Sequence, residues 1–224
     1  LIDQWYLDYG EKDWLALAQK CLANMNTFGA EARQMMEHGL SWMTKWACSR
    51  SFGLGTRLPW DEIFLIDSLS DSTIYMAYYT VAQMLHTDLE GSKMNPEYNI
   101  AAKDLTDAVW DYIFLGKAIP ADAATTIPKA TLDKARNEFT YWYPVDLRVS
   151  GKDLVNNHLL FWIYNHVALF EEAGWPKGVR PNGHVLLNKM KMAKSTGNFI
   201  SLYDGVERFT ADGMRFALAD AGDG

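Results

Sequence analysis

Residues 143–198 alternate apolar and turn-forming stretches in an order that few folds accommodate. Tyr143-Pro144-Val145-Asp146-Leu147-Arg148-Val149-Ser150 reads as a strand and Gly151-Lys152-Asp153 as a turn. A helical run extends from about Asp153 to Glu172, a second strand-like run covers 178–187, and a basic loop follows. Strand, turn, helix and strand make a βαβ unit, so the class is α/β with a parallel sheet. Such sheets bind ligands outside the carboxyl ends of their strands. Gly151-Lys152-Asp153 and the basic loop both fall at such ends.

That loop is Lys191-Met192-Ala193-Lys194-Ser195-Thr196-Gly197-Asn198. Lysine is a compact point charge suited to phosphate. Two lysines on one short loop, Lys191 and Lys194, with the Ser195 and Thr196 hydroxyls beside them, suit a triphosphate whose leaving group is pyrophosphate. Gly197 frees the backbone for angles that other residues avoid. The competing interpretation is a solvated basic turn.

Five further groups of residues bear on function. Gly151 at a strand end lets a ligand approach the backbone, and the helix expected to start there offers free N–H groups and a positive dipole end. Asp153 is suited to accept from ribose hydroxyls, or is simply a helix N-cap. Asn182-Gly183-His184 lies on the second strand, where Gly183 permits flat approach by a purine ring; the competing interpretation is a β-bulge. A helix is expected to open or be capped at Asp71 or Ser72 and to run to about His86. Counted along the stretch after Ser68, Leu69, Ser72, Tyr75 or Met76, and Tyr79 fall on one side, a pocket for an aliphatic side chain and a polar amino-acid head or an ordinary core face. Arg50 and Arg57 flank Gly53-Leu54-Gly55 and either meet phosphate or hold the loop by ion pairs. His158 and His166, eight residues apart, read as packing or polar-face residues, and His184 as structural.

Composition narrows the classes. The 224 residues include nine Trp and eleven Tyr, enough for a substantial aromatic core. A net charge of −7 supplies no global basic field for nucleic acid, so any RNA contact is local. Two cysteines, Cys21 and Cys48, make neither a disulfide framework nor a zinc site and fit a reducing compartment. No His-x-x-x-His pair points to a metal, and no apolar run approaches membrane-spanning length. The chain opens at Leu1 without methionine or signal-like sequence, which points to a fragment, a truncation or a processed chain.

Upstream, residues 11–27 and 30–46 read as two helices joined at Gly29, 46–60 as a loop, and Glu62-Ile63-Phe64-Leu65-Ile66 as a short buried strand. Residues 88–104 read as a surface connection, with helices near 103–114 and 128–140 beyond it. Two helices are expected near 202–209 and 211–219.

These motifs stand in one order along the chain. The basic loop resembles the KMSKS signature of class I aminoacyl-tRNA synthetases, with Ala193 where the pattern has its first serine. Further anchors are the segments Asp3–Gly10, Ala47–Arg50, Gly53–Thr56, Leu58–Asp61, Asp67–Ala77, Trp142–Leu154 and Ala211–Asp223. The whole set resembles leucyl-tRNA synthetases of the eukaryotic cytosolic and archaeal type; only about 88–135 is weakly informative. Leu154 departs from bacterial relatives, which carry histidine there. The alternatives are another class I synthetase for an aliphatic amino acid and a non-catalytic scaffold derived from a synthetase.

The resemblance implies the second half of a Rossmann-type catalytic domain, with leading helices and the start of a helical stem-contact region. Residues 1–60 would be a connective segment returning from an inserted editing domain. Residues 61–187 would form the Rossmann half with a variable insertion at 88–135, residues 188–198 the KMSKS-like loop, and 199–224 the stem-contact start. The HIGH signature, the editing domain and the anticodon-binding bundle have no counterpart in this sequence, so the chain alone is expected to be inactive. The implied partners are leucine, ATP with Mg2+, and tRNA(Leu), in the cytoplasm and away from membranes. Lys194 and Lys191 would stabilise the pyrophosphate. Gly151 and Asp153 would meet the ribose, Asn182 and Gly183 the adenine, Met192 would lend backbone contacts near adenine, and Ser195 would belong to the ATP site. Leu69, Ser72 and Tyr75 would line the leucine pocket.

Overall fold

The computed structural model describes residues 3–123 and 125–221. Leu1 and Ile2, Ala124 of the expected insertion, Gly222 and Asp223 at the end of the closing motif, and Gly224 after it lie outside the described residues.

The chain opens with β1 (Tyr6–Asp8), α1 (Lys12–Asn24), α2 (Ala30–Trp42) and β2 (Lys45–Ala47). Strand β2 returns antiparallel to β1, Leu7 facing Trp46. The second helix is therefore shorter than the 30–46 reading, and Lys45-Trp46-Ala47 pairs instead. Within the expected loop lie β3 (Ser49–Arg50) and β4 (Arg57–Leu58), both antiparallel to β5 (Asp61–Ile66). The strand at 62–66 is present but not buried, and Ile63 is 76% exposed. A small antiparallel sheet leaves one face to solvent, and periodicity in a five-residue apolar run does not reveal which.

The helix expected from 71 to 86 is three short ones, α3 (Ser68–Asp71), α4 (Tyr75–Tyr79) and α5 (Ala82–Leu85). Hydroxyls compete with the helix ladder at the breaks. Ser72 Oγ donates to the Ser68 carbonyl, Thr73 Oγ1 to that of Ser70 at 2.7 Å, and Thr80 Oγ1 to that of Ala77 at 2.7 Å. β-Branched Ile74 and Val81 stand at the junctions with φ of −121° and −119°. Next come α6 (Asp107–Trp110), which continues as a wider π turn over Asp111–Leu115, and α7 (Lys129–Trp142).

The βαβ unit forms, with shorter strands. β6 spans Arg148–Gly151 and β7 Val179–Asn182, parallel, with α8 (His158–Leu169) between them. Pro144 has no N–H for a ladder, which delays the strand; the Tyr143–Pro144 peptide is cis. Helix α8 is apolar nearly all round, as a central helix must be, and His158–Tyr164, His166 and Val167 are all buried. Around it pack α1, α2 and Tyr9, whose ring stacks on Phe161 at 4.9 Å. A second core joins α4, α5, the π turn and α7 through Val81, Val109, Ile113, Leu132 and Phe139. After β7 come the hairpin strands β8 (Leu186–Leu187) and β9 (Met190–Lys191), then α9 (Leu202–Phe209) and α10 (Ala211–Ala221). No helix among the described residues is long and apolar enough to cross a membrane.

Candidate active site at the ends of the parallel strands

Gly151 and Asn182, drawn from motifs thirty residues apart, are register partners at the carboxyl ends of β6 and β7. A Cβ at Gly151 would stand 2.4 Å from Asp153 Oδ1, so the glycine makes room for that carboxylate to fold back over the strand end. Asp153 is exposed and lies in a tight turn over Lys152–Leu154. It is not an N-cap: α8 starts later, capped by Asn157, whose side-chain oxygen accepts from the His158 N–H. The free N–H groups expected at Gly151 from a helix starting there are therefore displaced to Asn157. Lys152 is tied to Glu31 at 2.7 Å. Gly183 follows Asn182 and helps to line a cavity of about 120 Å3 with Phe28, Lys152 and Arg180. His184 is exposed.

The basic loop is a built structure. Asn188 and Lys189 both take positive φ (55° and 63°), the geometry that closes a two-residue hairpin between β8 and β9. Met192 N–H donates to the Val185 carbonyl at 3.1 Å, and Ala193 N–H to that of Asn198 at 3.0 Å. Lys194–Thr196 make one tight turn, ended by Gly197 at φ 71°. The Asn198 amide reaches the carbonyls of Leu187 (3.2 Å), Met190 (3.4 Å) and Lys191 (3.4 Å), pinning the loop to its hairpin. Ala193 works through its backbone, and its carbonyl also accepts from Thr196 Oγ1 at 3.0 Å. Lys191, Lys194 and Ser195 are exposed, and neither lysine has a carboxylate within 4 Å among the described residues.

Leu69, Ser72 and Tyr75 do not share one helix face, because α3 ends before Ser72. Asp67 caps α3 by accepting from the Leu69 N–H at 2.8 Å, and Leu69 packs toward the α8 core. Ser72 and Tyr75 instead line a cavity of about 800 Å3 with Asp71, Tyr78, Trp110 and Phe114. Arg50 and Arg57 hold their loop: Arg50 Nε stands 3.5 Å from Asp67 Oδ2, and Arg57 donates to the Glu62 carbonyl.

Three groups stand near this cavity: Arg148, half-buried, to which the sequence pattern gave no role, and the buried His158 and His166, expected as packing or polar-face residues. Arg148 donates from Nη1 to Tyr75 Oη at 3.2 Å, and its guanidinium stands 5.5 Å from the Tyr75 ring and 5.7 Å from that of Trp162. His158 is 3% exposed with neither ring nitrogen hydrogen-bonded; burial first, then the Arg148 charge, lowers its pKa. His166 bonds the Trp162 carbonyl (2.8 Å) and Tyr143 Oη (3.1 Å), and burial lowers its pKa to about 4. A lone Arg between Leu147 and Val149 on a core strand was the available signal. Among the described residues, no group of three or more His, Cys, Asp or Glu stands close enough to hold a metal ion.

A parallel strand pair with polar residues at its carboxyl ends and a lysine loop beyond is a nucleotide-binding α/β arrangement. Methionyl-tRNA synthetase from Mycobacterium tuberculosis, in a structure bound by methionyl-adenylate, superposes with a TM-score of 0.53 at 17% identity. The match covers 95% of this chain and 32% of that one, and shows that the fold is that of a class I synthetase core. The family described as tRNA synthetases class I (M) matches residues 106–223, over half of the chain, and the chain belongs to it. The cytoplasmic leucine–tRNA ligase of Arabidopsis thaliana is 54% identical over the whole chain, and those of Pongo abelii and Saccharomyces cerevisiae 55% and 52%. The chain spans about a fifth of the length of these relatives (20%, 19% and 20%).

Proposed function

We propose that the protein carrying this chain activates leucine with ATP and transfers it to tRNA(Leu) in the cytoplasm. The observation that carries the reading is 54% identity to a cytoplasmic leucine–tRNA ligase over the whole length of this chain. In the first step a leucine carboxylate oxygen attacks the α-phosphorus, a new O–P bond forms, and the bond to the bridging oxygen breaks to release pyrophosphate. A carboxylate is already a nucleophile at neutral pH, so the step needs alignment and charge stabilisation rather than a base. In the second, a hydroxyl of the terminal tRNA ribose attacks the leucyl carbonyl and AMP leaves.

In this reading Lys194 and Lys191, which have no carboxylate within 4 Å among the described residues, take up charge growing on the pyrophosphate, and Ser195 adds a hydroxyl. Asp153, folded over Gly151, accepts from the ribose. Asn182, Gly183 and the Met192 backbone border the adenine, while Leu69, Ser72 and Tyr75 shape the leucine pocket. Magnesium enters with ATP, held by phosphate oxygens and water. Residues 1–60 lead into the catalytic domain, 61–187 form its second half with an insertion at 88–135, 188–198 form the KMSKS-like loop, and 199–224 begin a stem-contact region.

The test is leucine-dependent ATP–pyrophosphate exchange by the full-length protein. Lys194→Ala is expected to lower the exchange rate on the order of a hundred-fold, the cost of one transition-state charge contact, with the leucine KM little changed. An unaltered rate removes the loop from the mechanism; absence of exchange in the unmutated protein removes the reading.

A further inference from the structure

Arg148 stands where a charge is expensive. Register partners on parallel strands share a face, and the partner of Arg148 is the fully buried Val179. The Arg148 side chain therefore leaves the strand on the side packed against α8. Burying a guanidinium there costs desolvation that an ion pair normally offsets. No carboxylate lies within 4 Å of it among the described residues, and its Nε is buried without a hydrogen-bond partner. Its neighbours are the faces of Tyr75 and Trp162, each within cation–π range, and two histidines disfavoured from carrying charge. What the cation does hold is Tyr75 Oη, at 3.2 Å.

Tyr75 needs such a hold. It sits on a five-residue helix, 41% exposed, edge-on to the exposed Tyr79 ring at 5.5 Å. Little packing fixes its side-chain torsions. It also forms part of the wall of the 800 Å3 cavity, beside Ser72. A planar guanidinium bonding the hydroxyl and facing the ring sets both position and tilt, which a lysine ammonium does not do.

We infer that Arg148 is a positioning residue for the amino-acid substrate: anchored on the strand that ends in Gly151, it fixes the Tyr75 ring and so the shape of the pocket for the aliphatic side chain. The inference rests on the leucine-activation reading. Its reach is limited to the amino acid, because Tyr75 belongs to α4 and the proposed ATP residues to the strand ends and the lysine loop.

The experiment is leucine-dependent exchange by the full-length protein and its Tyr75→Phe, Arg148→Lys, Arg148→Met and Arg148→Met/Tyr75→Phe variants, with KM for leucine and for ATP measured separately. Tyr75→Phe keeps the ring and removes only the hydroxyl, so it tests the bond even where an Arg148 substitution disturbs folding. Tyr75→Phe and Arg148→Met are each expected to raise the leucine KM roughly ten-fold, the worth of one hydrogen bond to a charged group, with the ATP KM within about two-fold. The double variant is expected to be no worse than the poorer single one, as residues acting through one contact are non-additive. Arg148→Lys is expected not to restore the leucine KM. Unchanged leucine KM in Tyr75→Phe, additive effects in the double variant, or equal rises for leucine and ATP overturn the inference while leaving leucine activation standing. No exchange in the unmutated protein overturns both.

Discussion

His166 shows how one buried residue couples chemistry to stability. It is fully buried, bonded to the Trp162 carbonyl and Tyr143 Oη, and its pKa is lowered from the ordinary 6.5 to about 4 by burial first of all. Between those two values the unfolded chain binds more protons than the folded one, so stability rises with pH across the window. The contribution is complete above about pH 6.5 and is lost as pH falls toward 4. Thermal melts of the protein are expected to show a Tm that drops from pH 7 to pH 5, and His166→Gln is expected to flatten that slope; His158, also depressed, retains part of it. An equal slope in the variant would assign the pH dependence elsewhere. Gly151 was legible as a strand end because a βαβ pattern dictates where that end lies, whereas Asn182 was expected inside a strand running to 187 and proves to be the last residue of β7. The bond between Arg148 and Tyr75 was not legible, because it joins residues 73 apart through a side chain that no periodicity marks.

At the scale of elements, two junctions carry testable weight. Helix α2 crosses α8 at Gly39, where a Cβ would stand 2.5 Å from Leu160 Cδ1. Leu160 is fully buried in the α8 core, so turning its methyl away displaces packed neighbours. Gly39→Ala therefore sets a gain in helix propensity of about 0.5–1 kcal/mol against overpacking of about 1–3 kcal/mol. Packing wins, and denaturant melts are expected to show net destabilisation; a stabilised variant would mean that the interface relaxes. The second junction is the Asn198 amide, which ties the lysine loop to its hairpin through three carbonyls. Asn198→Ala is expected to lower the exchange rate several-fold by loosening Lys194, with the leucine KM little altered. The sequence reveals that a loop is there, since glycine and lysines mark it, but not the hairpin beneath it, whose strands are two residues long. The break-up of 68–85 into three helices was hidden for a related reason. Apolar spacing over that stretch is helical, while the Ser72, Thr73 and Thr80 hydroxyls that interrupt it act through local backbone bonds.

The whole molecule has an unfinished side. Strand β6 pairs with β7 on one edge, and β7 is continued on its far edge by Asn26 bridging Gly178; among the described residues no strand pairs with the other edge of β6. Val149 is 67% exposed beside that edge, with Leu147 nearly half exposed before it. At the other end of the chain Leu202 is 82% exposed on α9, and Phe216 projects from α10. An open parallel edge flanked by apolar side chains is a template for pairing with another chain, and apolar surface of this kind favours association. The 224 residues expressed alone are therefore expected to self-associate as concentration rises, and to show no leucine-dependent exchange. Val149→Lys places a charge at the edge, where desolvating it opposes strand addition. Light scattering coupled to size exclusion is expected to show its mass distribution shifted toward monomer, while a variant that associates as strongly as the unaltered chain would move the sticky surface to α9 and α10. The order of elements was readable from sequence because the strand–turn–helix–strand pattern is local, whereas which edge of β6 is left unpaired among the described residues depends on tertiary pairing that no pattern marks.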